Sequence, residues 1–229
     1  MPLITVLRNN VRQSAAPQYE RLIRFVTERA RQDKDTLQWG GRISTGAEGR
    51  SISFVTTVAG FAELASREQP DAMVRRLFGE GDGNALIEAL GEGVESSSYG
   101  VATIREDLST VSAPPETPQL ALVTRLRATS AGALGIAELI RKVSEAATKV
   151  DEQRRTLVLQ TVIGDLRSYS IVQFVSDPAQ LDQQSPVPEL LAQAYGQAEG
   201  EKIFSEGTAC IEHAETELSI PRPDLSNQG

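Results

Sequence analysis

The segment LIRFVTERA, from Leu22 to Ala30, occurs again in altered form as LIRKVSEAA, from Leu139 to Ala147. Six of the nine residues are identical, and the two segments lie 117 positions apart. In both, apolar residues recur at helical spacing and charged residues fill the positions between them, which predicts an amphipathic helix that packs on one side. The same helix is therefore predicted twice.

Two further pairs of segments share this offset. RSISFVTTV (Arg50–Val58) matches RSYSIVQFV (Arg167–Val175) at five of nine positions. REDLS (Arg105–Ser109) matches RPDLS (Arg222–Ser226) at four of five. One constant offset across three separated blocks predicts a duplicated unit. Because the period is too long for a solenoid repeat, each copy is predicted to be a small domain.

The boundary between the copies is predicted from composition. The segment SAPPETP, Ser112–Pro118, has three prolines and no apolar run, which is typical of a short, stiff linker. We therefore predict one repeat over residues 1–111, a linker over 112–118 and a second repeat over 119–229.

Each copy is predicted to have the element order β-α-β-β-α-β. In the first copy the predicted elements are a strand at Leu3–Arg8, a helix at Ala15–Gln32, a hairpin of Thr36–Thr45 and Arg50–Val58 turning at GAEG (Gly46–Gly49), a broken helical region, and a strand at Val94–Arg105. In the second they are Leu120–Arg125, Leu134–Lys149, Arg155–Ile163 with Arg167–Val175, a broken helical region and Ile211–Ile220. This order predicts an α+β class with two tandem ferredoxin-like units. Helices cover only one face of such a sheet, so we expect the two sheets to pack against each other.

A tandem pair of units with this order resembles the dimeric α/β barrel superfamily. The stress-responsive, NIPSNAP-like and antibiotic-biosynthesis-monooxygenase-like branches are particularly similar, and REDLS and RPDLS after the terminal strands fit their pattern. The resemblance implies that the two units form one barrel within a single chain. It implies no single function, since members include cofactor-free oxygenases, isomerases, dehydratases, haem enzymes and proteins of no known activity.

Composition narrows the classes of partner. The chain has 229 residues, a formal net charge of -8 and a pI near 4.9, and such acidity disfavours binding to nucleic acid or to anionic lipid. No apolar run approaches a membrane span, and the N-terminus lacks the charged and apolar pattern of a signal peptide. Cys210 is the lone cysteine, so no disulfide framework and no metal cluster are predicted, and a reducing cytoplasm is expected.

Two polar pairs are shared by the copies and are the first candidates for catalysis. Glu95 matches Glu212, and a carboxylate on an otherwise apolar strand face is a candidate general base or acid. Arg50 matches Arg167, and either guanidinium is suited to binding a carboxylate or an enolate oxygen. The structural alternative is that these residues form salt bridges where the strands begin.

Other candidates occur in one copy alone. His213, the single histidine, is a candidate proton shuttle or axial haem ligand, although its acidic neighbours also fit a solvated strand edge. Cys210 lies three residues before it, a spacing unsuited to shared metal binding. Trp39 and Tyr19 occur only in the first copy, and Tyr169 occurs only in the second. For Trp39 we weigh a pocket wall against a core anchor.

Two features are predicted to be structural. Arg8 and Arg125, which also match, are expected to be solvated charges at strand ends. GEGDG (Gly79–Gly83) follows a helix and lacks the Lys-Ser/Thr of a phosphate loop, so it is predicted to connect two helices.

Three functional hypotheses follow. The first is a small-molecule-binding protein, a cofactor-free oxygenase or isomerase acting on a hydrophobic carbonyl or aromatic compound, with Glu95, Glu212, Arg50 and Arg167 in the site. The second is a non-catalytic stress-associated or oligomerising module. The third is haem binding through His213. A small hydrophobic ligand and a homo-oligomer are the expected partners, and no cofactor is expected under the first two hypotheses. The sequence does not predict the identity of the substrate.

Overall fold

The order β-α-β-β-α-β occurs twice along the chain. The structure, a computed structural model, describes residues 2–46, 49–117 and 119–227. Ala47 and Glu48 of the predicted hairpin turn and Pro118 of the predicted linker lie outside these residues. The first half contains β1 (Leu3–Val11), α1 (Ala16–Gln32), β2 (Gly40–Gly46), β3 (Gly49–Val58), α2 (Phe61–Ser66), α3 (Pro70–Phe78), α4 (Glu80–Glu92) and β4 (Val94–Ile104). The second half contains β5 (Leu120–Ala128), α5 (Ala133–Lys149), β6 (Arg155–Ile163), β7 (Ser168–Val175), α6 (Ala179–Asp182), α7 (Val187–Tyr195), α8 (Gln197–Thr208), β8 (Ile211–Pro221) and a 3-10 turn (Pro223–Leu225).

The strands form a closed barrel in the order β1-β3-β2-β8-β5-β7-β6-β4. The second half contributes β8-β5-β7-β6, which is the strand order of a ferredoxin-like unit. Pairing within each half is antiparallel: β3 lies between β1 and β2, and β7 lies between β5 and β6. The predicted α+β class and barrel are confirmed.

The chain divides into two compact units. The first consists of Met1–Val101 with Ile220–Gly229, and the second of Ala102–Ser219. The segment after each half's last strand therefore belongs to the unit built mainly from the other half. In the described residues, no helix is long and apolar enough to cross a membrane.

In the first unit, α1 packs its apolar stripe on one side of the sheet. The helix begins just after Ala15 with Pro17 in its first turn, where the missing N–H of proline is harmless. One cluster joins the start of α1 to the sheet and is formed by Val11, Ala16, Tyr19, Ile43, Ile52 and Leu225. A second joins the end of α1 to α3 and is formed by Val26, Ala30, Trp39, Met73, Val74 and Leu77.

In the second unit, α5 packs on the sheet as α1 does in the first unit. Its first turns pack on the sheet in a cluster of Leu108, Leu126, Ala128, Ile136, Ala137, Ile140, Val158 and Tyr169. Its last turns pack on α7 in a cluster of Leu139, Ala146, Ala147, Leu190 and Leu191. The layer between helix and sheet in this unit is therefore an apolar core.

The RPDLS signature closes the first unit. Arg222 donates from Nε and Nη2 to the two oxygens of Asp224, at 2.8 and 2.7 Å. Leu225 is 0% exposed. The hydroxyl of Ser226 accepts a hydrogen bond from the backbone N–H of Gly41 at 2.9 Å, so the segment is bonded to strand β2.

The REDLS signature closes the second unit with the same bonds. Arg105 donates from Nε and Nη2 to the two oxygens of Asp107, at 2.8 and 2.7 Å. Leu108 is fully buried. The hydroxyl of Ser109 accepts from the backbone N–H of Val158 at 2.8 Å. Both signatures thus have a structural role, and we call each one a latch.

Candidate functional site

A buried polar cluster lies between helix α1 and the sheet of the first unit. Asn9 donates from Nδ2 to the hydroxyl of Tyr19 at 2.7 Å, and Ser97 donates from Oγ to Asn9 Oδ1 at 2.7 Å. Asn9 is 8% exposed and Tyr19 is 3% exposed. We call Asn9, Tyr19 and Ser97 the polar trio. Tyr19 belongs to the first apolar cluster and Asn9 is almost fully buried, so the hydrogen bond between these two residues is shielded from water.

Strand β4 carries Ser97, the exposed member of the trio. Because side chains alternate along a strand, Ser97, Tyr99 and Val101 lie on the same side of β4, the side that faces Asn9. Val101 is fully buried, whereas Ser97 is exposed and Tyr99 is 52% exposed. The helices of the first unit therefore leave Ser97 and Tyr99 exposed at this end of the sheet, and we call this exposed end the opening.

Arg67, at the end of α2, lies within electrostatic range of Tyr99. Its Nη2 donates to the carbonyl oxygen of Gln38 at 2.7 Å. Burial lowers the pKa of its guanidinium, while Glu63 and then Tyr99 act in the opposite direction. A partly desolvated cation near the opening favours an oxygen-rich or anionic group on a ligand.

The hydroxyl of Tyr19 accepts the hydrogen bond from Asn9 and keeps its own proton. Burial raises the pKa of its phenol to about 12, and the hydrogen bond from Asn9 acts in the opposite direction. The phenol is therefore protonated at neutral pH. Since its oxygen already accepts from Asn9, its own proton is available to a ligand oxygen.

The second unit has apolar residues at the matched positions. The offset of 117 pairs Asn9 with Leu126, Tyr19 with Ile136 and Ser97 with Ala214. Leu126 and Ile136 belong to that unit's apolar core. The sequence analysis identified Tyr19 as a residue that only the first copy contains, but it did not identify its partners Asn9 and Ser97. The signal that finds them is a polar residue in one copy matched by an apolar residue in the other.

Glu95 lies at the same opening. It is exposed, and alternation places it on the side of β4 that carries Ser97. It forms no hydrogen bond or ion pair within the described ranges. Arg50, the other shared candidate of the first copy, pairs with Glu20, a residue of α1. Among the described residues, the carboxylate of Glu95 therefore has no ion-pair partner.

The matched carboxylate in the second unit has a different environment. Glu212 accepts from Arg167 Nη1 at 2.9 Å, and Arg127 lies 3.8 Å away. All three side chains are a third or more exposed. This is the salt-bridged arrangement of the structural alternative, and an exposed pair of this kind stabilises a protein little.

His213 has surroundings that do not fit a haem ligand. It is exposed on β8, and alternation places Glu215 and Glu217 on its side of the strand. In the strand register it lies opposite Arg127. A haem requires an apolar cavity beside its axial ligand, and charged neighbours do not provide one. Within the described residues, no group of His, Cys, Asp and Glu is suited to a metal ion.

Two expectations about large or charged side chains are resolved. Arg125 is not a solvated strand-end charge, and that prediction is wrong: it donates to Glu217 at 2.6 Å and to Glu215 at 3.1 Å and is largely shielded from water. Trp39 is a core anchor, because its buried indole donates from Nε1 to the carbonyl oxygen of Leu225 at 2.8 Å and so holds the latch.

Comparison with known proteins supports the fold. No family model and no curated protein sequence matches the chain. Among solved structures, an anthrone oxidase-like protein superposes with a TM-score of 0.58 at 13% identity, over 100% of this chain and 94% of that one. A proposed monooxygenase from Fusobacterium nucleatum superposes at 0.57 and 9% identity, over 96% and 93%. A variant of the chlorite dismutase of Candidatus Nitrospira defluvii superposes at 0.54 and 7% identity, over 97% and 92%. These likenesses confirm the dimeric α/β barrel fold that the sequence predicts.

Proposed function

We propose that the protein binds a small hydrophobic carbonyl or aromatic compound in the first unit, at the polar trio. The observation that carries this proposal is the buried Asn9–Tyr19 hydrogen bond beneath an open end of the sheet. A buried polar network is costly unless it is satisfied, and the matched positions of the second unit do without one. Its presence in one unit alone supports a role in ligand recognition.

The chemistry that suits this arrangement is proton abstraction next to a carbonyl group. Glu95 acts as the base: its carboxylate takes the proton from the α-carbon, and the electron pair of that C–H bond becomes the enolate. Tyr19 donates its hydrogen bond to the enolate oxygen, where the negative charge develops. An enolate is the intermediate that an isomerase reprotonates and that a cofactor-free oxygenase allows to react with dioxygen. The anthrone oxidase-like and monooxygenase-like neighbours are compatible with this class but share only the fold.

The two halves are proposed to be copies of one ancestral unit with divided roles. The first retains the site, and the second is a scaffold in which Glu212 and Arg167 form a surface ion pair. Of the predicted site residues, Glu95 is thus proposed as catalytic, while Arg50, Arg167, Glu212 and His213 are proposed to be structural or solvated.

Binding is tested by thermal shift with a panel of hydrophobic ketones and phenols. We expect stabilisation of the wild-type protein, its loss in Tyr19→Phe and its persistence in Tyr169→Phe, the same change at a buried tyrosine of the second unit. The proposal fails when no compound of the panel stabilises the protein, or when both variants respond alike.

Catalysis is tested separately by exchange of the α-proton of a bound ketone for deuterium, followed by NMR. Glu95→Gln is expected to abolish the exchange, and Glu212→Gln is the matched control that retains it. Binding without exchange in the wild-type protein would contradict the base role and favour the second hypothesis, a non-catalytic binding module.

Self-association is also proposed, since the second unit exposes Leu134 and Leu166 at 86% and 62%. Light scattering after size-exclusion chromatography tests it, and a purely monomeric protein would exclude it at the concentrations used. A cytoplasmic location stays a prediction.

A further inference from the structure

A groove lies on the helical surface of the first unit, away from the polar trio. It has a volume of about 350 Å³ and is lined by Phe25, Glu28, Arg29, Gln32, Leu77 and Phe78. Phe25 is 54% exposed, and its ring lies against that of Phe78 with centroids 5.0 Å apart and planes tilted by 34°. The groove therefore presents two aromatic rings beside the carboxylate of Glu28.

At the matched positions of the second unit, two lysine side chains lie beside an aromatic ring. Tyr195 occupies the position of Phe78, and Lys149 Nζ lies 3.7 Å above its ring centroid. Lys142 Nζ lies 5.5 Å from the same ring and 3.2 Å from the Glu145 carboxylate. Glu145 matches Glu28 and accepts a hydrogen bond from the Tyr195 hydroxyl at 2.9 Å. An aromatic ring and a carboxylate thus bind ammonium groups here within the chain.

The first unit keeps the ring and the carboxylate but has neither lysine. Phe25 stands at the position of Lys142, and Gln32 at that of Lys149. Arg29 brings one cation to the groove, but it is paired with Asp33 at 3.2 Å. The two lysines of the second unit therefore have no lysine counterpart at the matched positions of the first, and both of those positions line the groove.

We propose that this groove binds a small organic ammonium ion. The ammonium group lies over the ring of Phe78 and near Glu28, as Lys149 lies over Tyr195, and the apolar part of the ligand packs on Phe25 and Leu77. Cation–π attraction and the nearby carboxylate provide selectivity for the charge. The volume is at the lower end for a ligand site, which favours a compact ammonium compound over an extended one.

Choline and its uncharged carbon isostere 3,3-dimethylbutan-1-ol provide the test. Binding is followed by the fluorescence of Trp39, which is the only tryptophan and packs in the cluster that contains Leu77 and Phe78. We expect choline to bind about threefold or more tightly than the isostere, as an exposed cation–π contact allows. Equal affinity for the two compounds would overturn the proposal.

Gln32→Lys provides an internal competitor, because it places a lysine at the position that matches Lys149 of the second unit. We expect this variant to lose choline binding, whereas Gln32→Met, which adds no charge, retains it. Phe78→Leu is expected to weaken binding, and Tyr195→Leu is the matched control with no effect. Unchanged binding in Gln32→Lys would refute the site. Tyr19→Phe is expected to leave choline binding intact, so this test is independent of the proposed function.

Discussion

The hydrogen bond between Asn9 and Tyr19 leads to a quantitative prediction about the free energy of unfolding. In Tyr19→Phe the buried Nδ2 group of Asn9 loses its hydrogen-bond acceptor. In Asn9→Leu the buried hydroxyl of Tyr19 loses its hydrogen-bond donor. With both residues almost fully buried and a bond of 2.7 Å, each single change is expected to destabilise the protein by about 1–3 kcal/mol. The double variant leaves no buried group unpaired, because Ser97 is exposed and its hydroxyl is accessible to water. We therefore expect a coupling energy of about 1–2 kcal/mol, so that the double change destabilises less than the sum of the single changes.

Urea unfolding followed by Trp39 fluorescence is the appropriate assay, because Trp39 lies in the same unit as the trio. Circular dichroism must give coincident transitions for the free energies to be defined. Tyr99→Phe is the control: the residue is 52% exposed, so its hydroxyl is not a buried polar group and its loss should cost under about 1 kcal/mol. Additivity of the two single changes within about 0.5 kcal/mol would refute the proposed energetic link between Asn9 and Tyr19.

Three further predictions concern the latches and the surface ion pair. Leu225→Ala and Leu108→Ala each remove a fully buried leucine and should destabilise by about 2–5 kcal/mol in urea, and a loss under about 0.5 kcal/mol would contradict the latch role. Hydrogen bonds from Arg222 and then Arg24 lower the pKa of Asp224, so the stabilisation that this carboxylate contributes is present above about pH 4 and is lost as the pH falls further. Asp224→Asn should therefore make the unfolding free energy decline less steeply in acid. An unchanged pH profile would exclude this contribution. Glu212→Gln breaks an exposed ion pair and should change the unfolding free energy by less than about 1 kcal/mol, whereas a larger loss would show that the pair is not merely superficial.

Local patterns predicted most of the element bounds. The apolar spacing predicted a helix over Ala15–Gln32, and α1 spans Ala16–Gln32. Arg50–Val58 was predicted as a strand, and β3 spans Gly49–Val58. Such agreement is expected because helical and strand periodicities are properties of neighbouring residues.

The GEGDG segment shows where local reasoning failed. It was predicted to connect two helices, but α4 already begins at Glu80. The turn is made by Gly79 alone, whose φ of 84° favours glycine. Gly83 lies inside α4, where a Cβ would come within 2.7 Å of Arg75 Cα. This glycine permits the close packing of two helices, and nothing in its immediate sequence distinguishes that role from a loop.

The element order and the ferredoxin-like class follow from the sequence alone, because they depend on patterns within short segments and on one constant offset. Which residues share a site depends on the three-dimensional packing. Asn9, Tyr19 and Ser97 come together because the pairing of strands and the packing of α1 set which side chains face each other. In the part of the chain that the structure describes, the same register leaves Glu95 without an ion pair, whereas Glu212 accepts a hydrogen bond from Arg167. Matched residues thus acquire different roles, since an ion pair or a buried hydrogen bond depends on neighbours that are distant along the chain.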